Sequence, residues 1–341
     1  MNKQLKISPK KAIGMVLLYA VLIFHTLVHE AGHLVFGLLT GYGFCSFRIF
    51  SFMWVKDGEK LKLRRLSLAG TGGQCLMSPP DINGGKMPFV LYNLGGSIMN
   101  AAVGALFLAL YFICPNGSRT APFVLLFAAV GFITAVMNGV PMRLGAVDND
   151  GYNAIAISKS GEAAEAFWVQ LSIVGQSARG VRLKDMPEEW FRVPAEESMQ
   201  NSIVAVRGVL ACNRLMDEQK FNQADALMAR MLAAESGMAG IHRGLLVCDR
   251  MYIELIGAAR REAIEAMLTK AQAKFMKSMR RYPSVLRTEY ALALLLEKNT
   301  ARAEGIRAEF EKAAKSYPYP QETESERELI CLALNKSRGR A

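Results

Sequence analysis

The stretch HTLVHEAGH, residues 25–33, places three histidines and one glutamate inside an apolar segment. The glutamate, Glu30, is the only charged residue between residues 11 and 48. Two later stretches, between residues 86 and 119 and between residues 119 and 143, contain no charged residue. Each stretch exceeds the roughly 20 residues with which a helix crosses a bilayer core. The sequence therefore predicts an α-helical multi-pass membrane protein, with spans at about residues 12–39, 88–113 and 121–142.

The second half of the chain has a different character. The whole chain has 341 residues, 51% of them apolar, and a formal net charge of +11. From about residue 156, charges are scattered through sequence of helical period, which is typical of a soluble domain. We therefore expect a membrane domain over residues 1–155 and a soluble all-α domain over residues 156–341.

Two stretches of the second half resemble degenerate tetratricopeptide-like helical pairs. FNQADALMARMLAAES, residues 221–236, and TARAEGIRAEFEKAAKSYPYP, residues 300–320, carry small residues at helical spacing followed by a break. Helices of this kind present a groove for a peptide or a protein partner. A helical cap without a partner fits the same pattern equally well.

Cysteine usage and charge exclude some classes of protein. The six cysteines form no CxxC pair and no tight cluster, so neither a disulfide framework nor a thiolate zinc site is predicted. The excess of lysine and arginine lies partly in loops beside the predicted spans, where the anionic lipid of a bilayer explains it. No nucleic-acid partner is expected.

The spacing of His29, Glu30 and His33 predicts a metal site. Residues four apart lie on one face of a helix, so both imidazoles of this H-E-x-x-H arrangement can bind one ion. Two histidines and a third ligand from elsewhere would hold one Zn2+ per chain and leave a position for water. Glu30 can then act as the base that takes a proton from that zinc-bound water, which is the chemistry of peptide hydrolysis.

Two other interpretations of these histidines are weaker. If the side chains were satisfied by packing alone, Glu30 would lie in hydrocarbon at a cost of at least a few kcal/mol, and such residues are usually functional. A di-iron membrane oxidase needs many more histidines, and only His242 remains in the chain.

His25 lies eight residues before His33, or about 12 Å along a helix, too far to share an ion with it. We expect His25 to line a wet cavity or to bond a neighbouring helix.

Helix geometry indicates where the third ligand should be sought. His29 lies about 26 Å along the first span, near its far interface, and the third span returns to the same side. The sequence that follows the third span is MNGVPMRLGAVDNDGYN, residues 137–153, in which Asp148 and Asp150 are the carboxylates. The sequence therefore places a carboxylate at the level of the two histidines.

Four motifs together resemble the site-two protease family of intramembrane zinc metalloproteases. They are HEAGH on the first span, GGSIMN at residues 95–100, Asn138-x-x-Pro141 and the pair Asp150-Gly151. The resemblance covers roughly residues 12–155 and implies a three-helix metalloprotease core. It also implies that His29, His33 and Asp150 bind zinc and that Glu30 is the base.

The resemblance also assigns the remaining motif residues. Gly96 and Asn100 match the G-x-x-x-N motif of the second helix, and Asn138 and Pro141 match the motif of the third helix. Gly96 and Asn100 are equally consistent with plain helix packing. Asn138, beside a proline-broken helix end, is placed to bond a substrate carbonyl or the transition-state oxyanion. The spacer between Pro141 and Asp150 is longer than in common members, so Asp148 remains a competing ligand.

A β-hairpin is predicted in the loop after the first span, at about residues 46–69. The runs CSFRIFSFMWV and KLKLRRLSLAG flank Asp57-Gly58, which is a hairpin turn signal. The apolar side chains of Phe50, Phe52, Met53 and Trp54 suggest that the hairpin lies against the membrane. In the family, a sheet at this place is thought to hold substrate as an added strand. A purely structural flap is the alternative.

The expected location is a bacterial cell membrane with the C-terminal domain in the cytoplasm. The loop over residues 40–86 carries seven lysines and arginines, whereas the connection between the second and third spans carries one, Arg119. Loops rich in positive charge favour the cytoplasmic side of a membrane. Four lysines in the N-terminal tail argue against this orientation. We expect the substrate to be a membrane-anchored protein or peptide precursor.

Two other functions share part of this pattern. A membrane-anchored helical scaffold with a structural or inactive zinc site is the alternative function, but such a site has no use for Glu30. A CAAX-type intramembrane protease would need further ligand motifs, and none is visible in the later spans.

Overall fold

The computed structural model describes residues 9–58, 60–68, 71–81, 87–143, 147–234 and 236–339. It is mostly helical and contains one small β-sheet. Two compact units divide the chain. The first unit comprises the chain up to Gly41, Pro88–Met142 and Asn149–Ala154, and the second comprises Tyr42–Met87, Arg143–Asp148 and the rest to the C-terminus.

Three long helices form the first unit: α1 (Pro9–Leu39), α2 (Phe89–Ile113) and α3 (Ala121–Gly139). All three are long and apolar enough to cross a membrane, as the charge-free stretches predict. The third helix ends at Gly139, three residues before the predicted end. Val140 is already extended, with φ −77° and ψ 125°, because the residue before a proline is disfavoured in the helical region.

Glycines bring these helices into backbone contact. A β-carbon at Gly32 of α1 would lie 2.3 Å from the carbonyl oxygen of Gly95 on α2. A β-carbon at Gly131 of α3 would lie 3.0 Å from the α-carbon of Gly104 on α2. Small residues at such crossings allow the close approach on which helix association in lipid depends. The first unit is therefore packed most tightly along both sides of α2.

The loop after α1 folds into four antiparallel strands: β1 (Gly43–Ile49), β2 (Phe52–Asp57), β3 (Lys60–Arg65) and β4 (Gly73–Ser78), in the order β3-β2-β1-β4. The predicted hairpin is present as β2 and β3, which turn at Gly58 with φ 61°. The single run predicted over residues 45–55 is split at Phe50, whose φ is 51°. Strand β4 was not predicted.

The buried side chain of Arg48 explains the break at Phe50. Arg48 is fully buried, and its guanidinium donates hydrogen bonds to the Phe50 carbonyl at 2.6 Å and to the Gly73 carbonyl at 3.0 Å. A third hydrogen bond, of 2.6 Å, goes to the hydroxyl of Thr71. The arginine thus joins the turn between β1 and β2 to the start of β4.

The sheet belongs to the second unit, whereas the predicted boundary placed it with residues 1–155. Met53 and Val55 on its inner face pack in one cluster with Tyr317 and Tyr319 near the C-terminus. The second unit is therefore not all-α, because its helices and the sheet share this apolar contact. Local sequence could not reveal a contact between residues so far apart in the chain.

Ten helices follow α3: α4 (Asp150–Ser158), α5 (Gly161–Ala178), α6 (Ser202–Asp217), α7 (Phe221–Ala233), α8 (Gly240–Ile256), α9 (Arg261–Met267), α10 (Lys270–Ser278), α11 (Pro283–Ala291), α12 (Thr300–Ala314) and α13 (Pro320–Arg338). A π-helical turn, Leu292–Leu296, extends α11. Three short 3-10 helices lie between α5 and α6, at Leu183–Asp185, Glu188–Phe191 and Ser198–Gln200.

The two stretches with tetratricopeptide-like sequence form α7 and α12. Each packs on the helix before it, α7 on α6 and α12 on α11. The turns that join the two pairs contain residues with positive φ, Gln219 at 56° and Lys298 at 52°. Both stretches are thus second helices of helical hairpins, and a closer relation to tetratricopeptide repeats stays a prediction.

Candidate metal centre

Three predicted ligands come together in the first unit. The Nε2 atoms of His29 and His33, one turn apart on α1, lie 3.1 Å from each other. The Oδ2 atom of Asp150, at the start of α4, lies 3.0 Å from Nε2 of His29 and 3.4 Å from Nε2 of His33. The three residues form the group of potential metal ligands found among the described residues.

The spacing of these atoms fits zinc. Ligand atoms at normal bond lengths from a tetrahedral zinc ion lie about 3.3 Å from one another. The three measured edges, 3.0, 3.1 and 3.4 Å, are close to that value. Asp150 Oδ2 is buried and has no well-directed hydrogen-bond donor among the described residues, although both imidazoles are near. The arrangement therefore matches three lone pairs that converge on one cation.

The orientation of His33 is fixed by a backbone carbonyl. Its Nδ1 atom lies 2.7 Å from the carbonyl oxygen of Tyr92 on α2. A carbonyl oxygen can only accept, so Nδ1 carries the proton and donates it. In the neutral imidazole, Nε2 then has a free lone pair, which is the state that binds a metal.

His29 lies against α2 at the G-x-x-x-N motif. Its ring fills the space beside Gly96, where a β-carbon would come within 2.7 Å of Nε2. One turn further on, the side-chain amide of Asn100 contacts Nδ1 of His29 at 3.3 Å. The motif thus provides both the space for the imidazole and a polar partner for its second nitrogen.

His25 is bonded to both neighbouring helices, which confirms one of the two predicted roles. The side chain is fully buried. Its Nδ1 atom lies 3.2 Å from the other terminal atom of the Asn100 amide, and its Nε2 atom lies 2.8 Å from the carbonyl oxygen of Phe127 on α3. His25 therefore does not join the ligand group but reaches His29 through Asn100.

The start of α4 holds Asp150 in place. Asn149 is buried, and its side-chain oxygen accepts from the backbone N–H of Tyr152 at 2.9 Å, as an N-cap residue does. Its amide nitrogen donates to the carbonyls of Met137 at 2.8 Å and Val140 at 2.6 Å. The asparagine thus joins the end of α3 to the beginning of α4.

Gly151 explains why the Asp-Gly pair is needed. A β-carbon at this position would lie 2.2 Å from the carbonyl oxygen of Gly139 and 3.0 Å from the nitrogen of Pro141. Only glycine permits this approach of α4 to the end of α3, and the approach sets the position of Asp150. Pro141, predicted as a motif residue, is thus part of the surface against which α4 begins.

Charge favours the ionised form of Asp150. Burial raises the pKa of its carboxyl, but the imidazoles of His29 and His33, when they carry a proton on Nε2, lower it more through hydrogen bonds and positive charge, so this pKa lies well below its ordinary value. Asp148, the competing carboxylate, accepts a hydrogen bond of 3.1 Å from Nε of Arg143. The geometry therefore brings Asp150, and not Asp148, to the two histidines.

The other two predicted site residues differ in their surroundings. Glu30 is buried with 6% of its surface exposed, and its charge interacts with His33. Asn138 is partly buried in the last turn of α3, where its amide donates to the Thr134 carbonyl at 3.0 Å. This bond uses one of the two amide N–H groups, and the assignment of Asn138 to a substrate or an oxyanion stays a prediction.

Sequence reasoning missed two contributors to the site. Asn149 carried a signal, because an asparagine directly before a helix start is a preferred N-cap. The carbonyl of Tyr92 carried none, because a backbone acceptor is available at every residue and only the crossing of α1 and α2 selects this one.

No protein-family model, no curated protein and no solved structure matches this chain.

Proposed function

We propose that this chain is a membrane-embedded zinc metallopeptidase of the site-two protease kind, as the sequence motifs imply. The observation that carries the proposal is the convergence of His29, His33 and Asp150 Oδ2 at 3.0–3.4 Å in a helical unit long and apolar enough to span a membrane. Glu30, buried beside these ligands, is the residue type that the hydrolysis requires.

Each residue has a separate role in this mechanism. When bound, zinc supplies a Lewis acid for the scissile carbonyl and lowers the pKa of water. His29, His33 and Asp150 hold the ion and fix its position. Glu30 accepts a proton from the attacking water and donates it to the amine that leaves. Because Glu30 is next to His29 in sequence, the base and the ligands keep their spacing through α1.

The protonation pattern around His29 suits metal binding as well. Nε2 of His25 donates to the Phe127 carbonyl, so a neutral His25 presents a lone pair at Nδ1. Oδ1 of Asn100 is placed against this Nδ1 and Nδ2 against Nδ1 of His29, which would set two acceptors against each other at His25. We therefore assign the amide in the opposite orientation, with its NH2 group donating to His25 and its oxygen facing Nδ1 of His29. Accepting this proton leaves a lone pair on Nε2 of His29. Asn100 and His25 are therefore positioning residues that select the tautomer of one ligand.

The substrate that we propose is a membrane-anchored protein or peptide precursor, cleaved within or beside its membrane segment. The second unit, with its helical hairpins, is proposed to lie in the cytoplasm and to bind a protein partner. A reporter fused after Ala341 tests the orientation, because it should be active only in the cytoplasm. A reporter active only on the outer side would contradict it.

A scaffold with a structural zinc site is the second candidate function. It shares the three ligands and the partner-binding helices with the peptidase. It has no use for a buried carboxylate beside the ligands, and burial of Glu30 is costly unless the residue has a function. The presence of Glu30 therefore favours the peptidase.

Comparative proteomics of membrane fractions tests the proposal. Cells carrying Glu30→Gln should accumulate uncleaved precursors, while the purified variant keeps about one zinc per chain because its ligands remain. Glu262→Gln, an equivalent change at an exposed residue of α9, is the matched control and should give the native pattern. Native processing by the Glu30→Gln variant would exclude the peptidase and leave the scaffold.

A further inference from the structure

A second concave site lies in the second unit, between the end of β3, the turn before α11 and the end of α12. It is a cavity of about 430 Å³. Four cationic side chains line it: Arg65 from β3, Arg280 and Arg281 from the turn, and Lys312 from α12. One carboxylate, Glu309, is also present. The lining therefore carries an excess of three positive charges.

These four cations differ from most other arginines of the second unit, because they have no direct ion-pair partner among the described residues. Most other arginines of the second unit are paired with carboxylates, as Arg182 is with Asp217 and Arg327 with Glu311. Within the part of the chain that the structure describes, none of the four cations in the cavity has a carboxylate at salt-bridge distance. Four cations that face one carboxylate, Glu309, repel one another, and a bound anion reduces that repulsion.

The remaining lining supports an oxyanion. Ser51 and Ser67 also line the cavity and have hydroxyl groups that can donate hydrogen bonds, whereas the hydroxyl of Ser316 already donates to the Ala313 carbonyl at 3.3 Å. Its floor is built from the buried side chains of Leu66 and Leu286. Two backbone hydrogen bonds hold this floor, from Arg65 to the carbonyl of Ser316 at 2.7 Å and from Leu66 to that of Ser51 at 3.1 Å. The cavity is thus formed by fixed backbone.

One edge of the cavity continues into an exposed apolar strip on the outer face of the sheet. Arg65 is paired with Phe52 across β2 and β3, and its guanidinium lies 5.1 Å from the centre of the Phe52 ring. On the same face follow Leu63, 56% exposed, and its cross-strand partner Trp54, 39% exposed. A cluster of cations beside exposed aromatic and leucine side chains is typical of protein surfaces that meet lipid headgroups.

We propose that this cavity binds the phosphate group of an anionic phospholipid, with the acyl chains along the strip formed by Phe52, Trp54 and Leu63. The arginines and Lys312 bind the phosphate oxygens, and the serine hydroxyls add hydrogen bonds. The apolar strip favours a lipid over free phosphate, since free phosphate makes no use of exposed leucine and aromatic side chains.

Native mass spectrometry of the full chain in a neutral detergent tests this site. The probes are dioctanoyl phosphatidylglycerol, dioctanoyl phosphatidylcholine and inorganic phosphate. The phosphatidylglycerol should bind saturably and at least about 10-fold more tightly than the other two probes. The double variant Arg281→Gln/Lys312→Gln should weaken its binding about 10-fold or more, because two charges that contact the phosphate are lost.

The matched control is Lys274→Gln/Lys277→Gln, which removes the same charge from α10 outside the cavity and should bind as the native chain does. Leu63→Ser should weaken binding of the lipid and not that of phosphate. Equal binding of the two lipids, or native binding by the cavity variant, would overturn the proposal. Phosphate binding as tight as that of phosphatidylglycerol, unchanged by Leu63→Ser, would overturn the assignment to a lipid.

Discussion

A β-carbon added to Gly96 would lie 2.5 Å from both Nδ1 and Cε1 of His29, so the imidazole of a proposed ligand occupies the space of a missing side chain. The G-x-x-x-N motif of α2 therefore contacts the candidate ligand group and does more than pack two helices together. Gly96 provides the space, and Asn100 provides the polar partner.

Gly96→Ala should lower the affinity for zinc by about 10- to 100-fold, the range seen when the support of a metal ligand is removed. The methyl group displaces the ring of His29 while all three ligands remain in the chain. The control is Gly14→Ala on α1. A β-carbon at Gly14 would have no atom within 4 Å, so this change should leave the affinity for zinc unchanged. Titration of the purified variants against a competing chelator measures both. Native affinity in Gly96→Ala would contradict the geometry.

Two substitutions of His25 separate a role in tautomer selection from a role in packing. Asparagine places its side-chain oxygen near the position of Nδ1 and can accept from Asn100, whereas glutamine places its amide near Nε2 and preserves the contact with Phe127. His25→Asn should keep zinc affinity within about 3-fold, and His25→Gln should lose about 10-fold. The same chelator titration applies, and equal losses in the two variants would indicate packing alone.

The two aspartates after α3 should respond differently to substitution. Asp150→Ala should lose most zinc, because it removes one of three ligands. Asp148→Ala should keep about one zinc per chain and most of its activity, because Asp148 is bonded to Arg143. Metal analysis of both purified proteins decides between them, and the opposite ranking would assign the third ligand to Asp148.

The contribution of Glu322 to the stability of the second unit should fall as the pH rises from about 4.5 to about 7. Burial raises the pKa of Glu322 on α13 to about 7 from an ordinary value of 4.5. Between these two values the folded state keeps a proton that the unfolded state has lost, so the free energy of unfolding decreases with rising pH, by no more than about 3 kcal/mol. Below pH 4.5 and above pH 7 this residue adds no dependence on pH.

Glu322→Gln, which keeps an oxygen to accept from the Tyr317 hydroxyl, should therefore raise the melting temperature more at pH 8 than at pH 5. All three tryptophans, Trp54, Trp168 and Trp190, lie in the second unit, so tryptophan fluorescence follows its unfolding. Glu262→Gln on exposed α9 is the control. An equal shift of the melting temperature at both pH values would show that Glu322 is ionised throughout.

The sequence predicted those features that depend on local pattern. Long stretches with at most one charged residue predicted the three helices, the four-residue spacing of His29 and His33 predicted that their imidazoles lie together, and Asp-Gly distinguished Asp150 from Asp148. Glycine is informative there because the close approach of Gly151 to Gly139 is possible for no other residue. The prediction of zinc and of peptidase activity remains a proposal that rests on this geometry and these motifs.

Features that depend on contacts between distant parts of the chain could not be predicted. Strand β4 pairs with β1, although β2 and β3 lie between them in the sequence. The inner face of the sheet is covered by tyrosines about 260 residues later in the sequence. Arg48 looked like one more loop cation beside the membrane, yet it is buried and bonds three partners. The burial of Arg48 depends on packing between distant parts of the chain, so a short stretch of sequence around it does not reveal it.

The contact between Gly32 and Gly95 restricts how a helical substrate can reach Glu30. A lateral gate between two helices needs side chains at the helix contact that can move and leave an opening. At the level of HEAGH, the backbones of α1 and α2 touch at these two glycines, and the β-carbons of Met99 and Phe36 flank the contact. Entry between α1 and α2 is therefore closed at this depth. If the chain is the peptidase that we propose, its substrate approaches the scissile position from another side of α1, and cross-linking along exposed Val35 and Leu38 can trace its path.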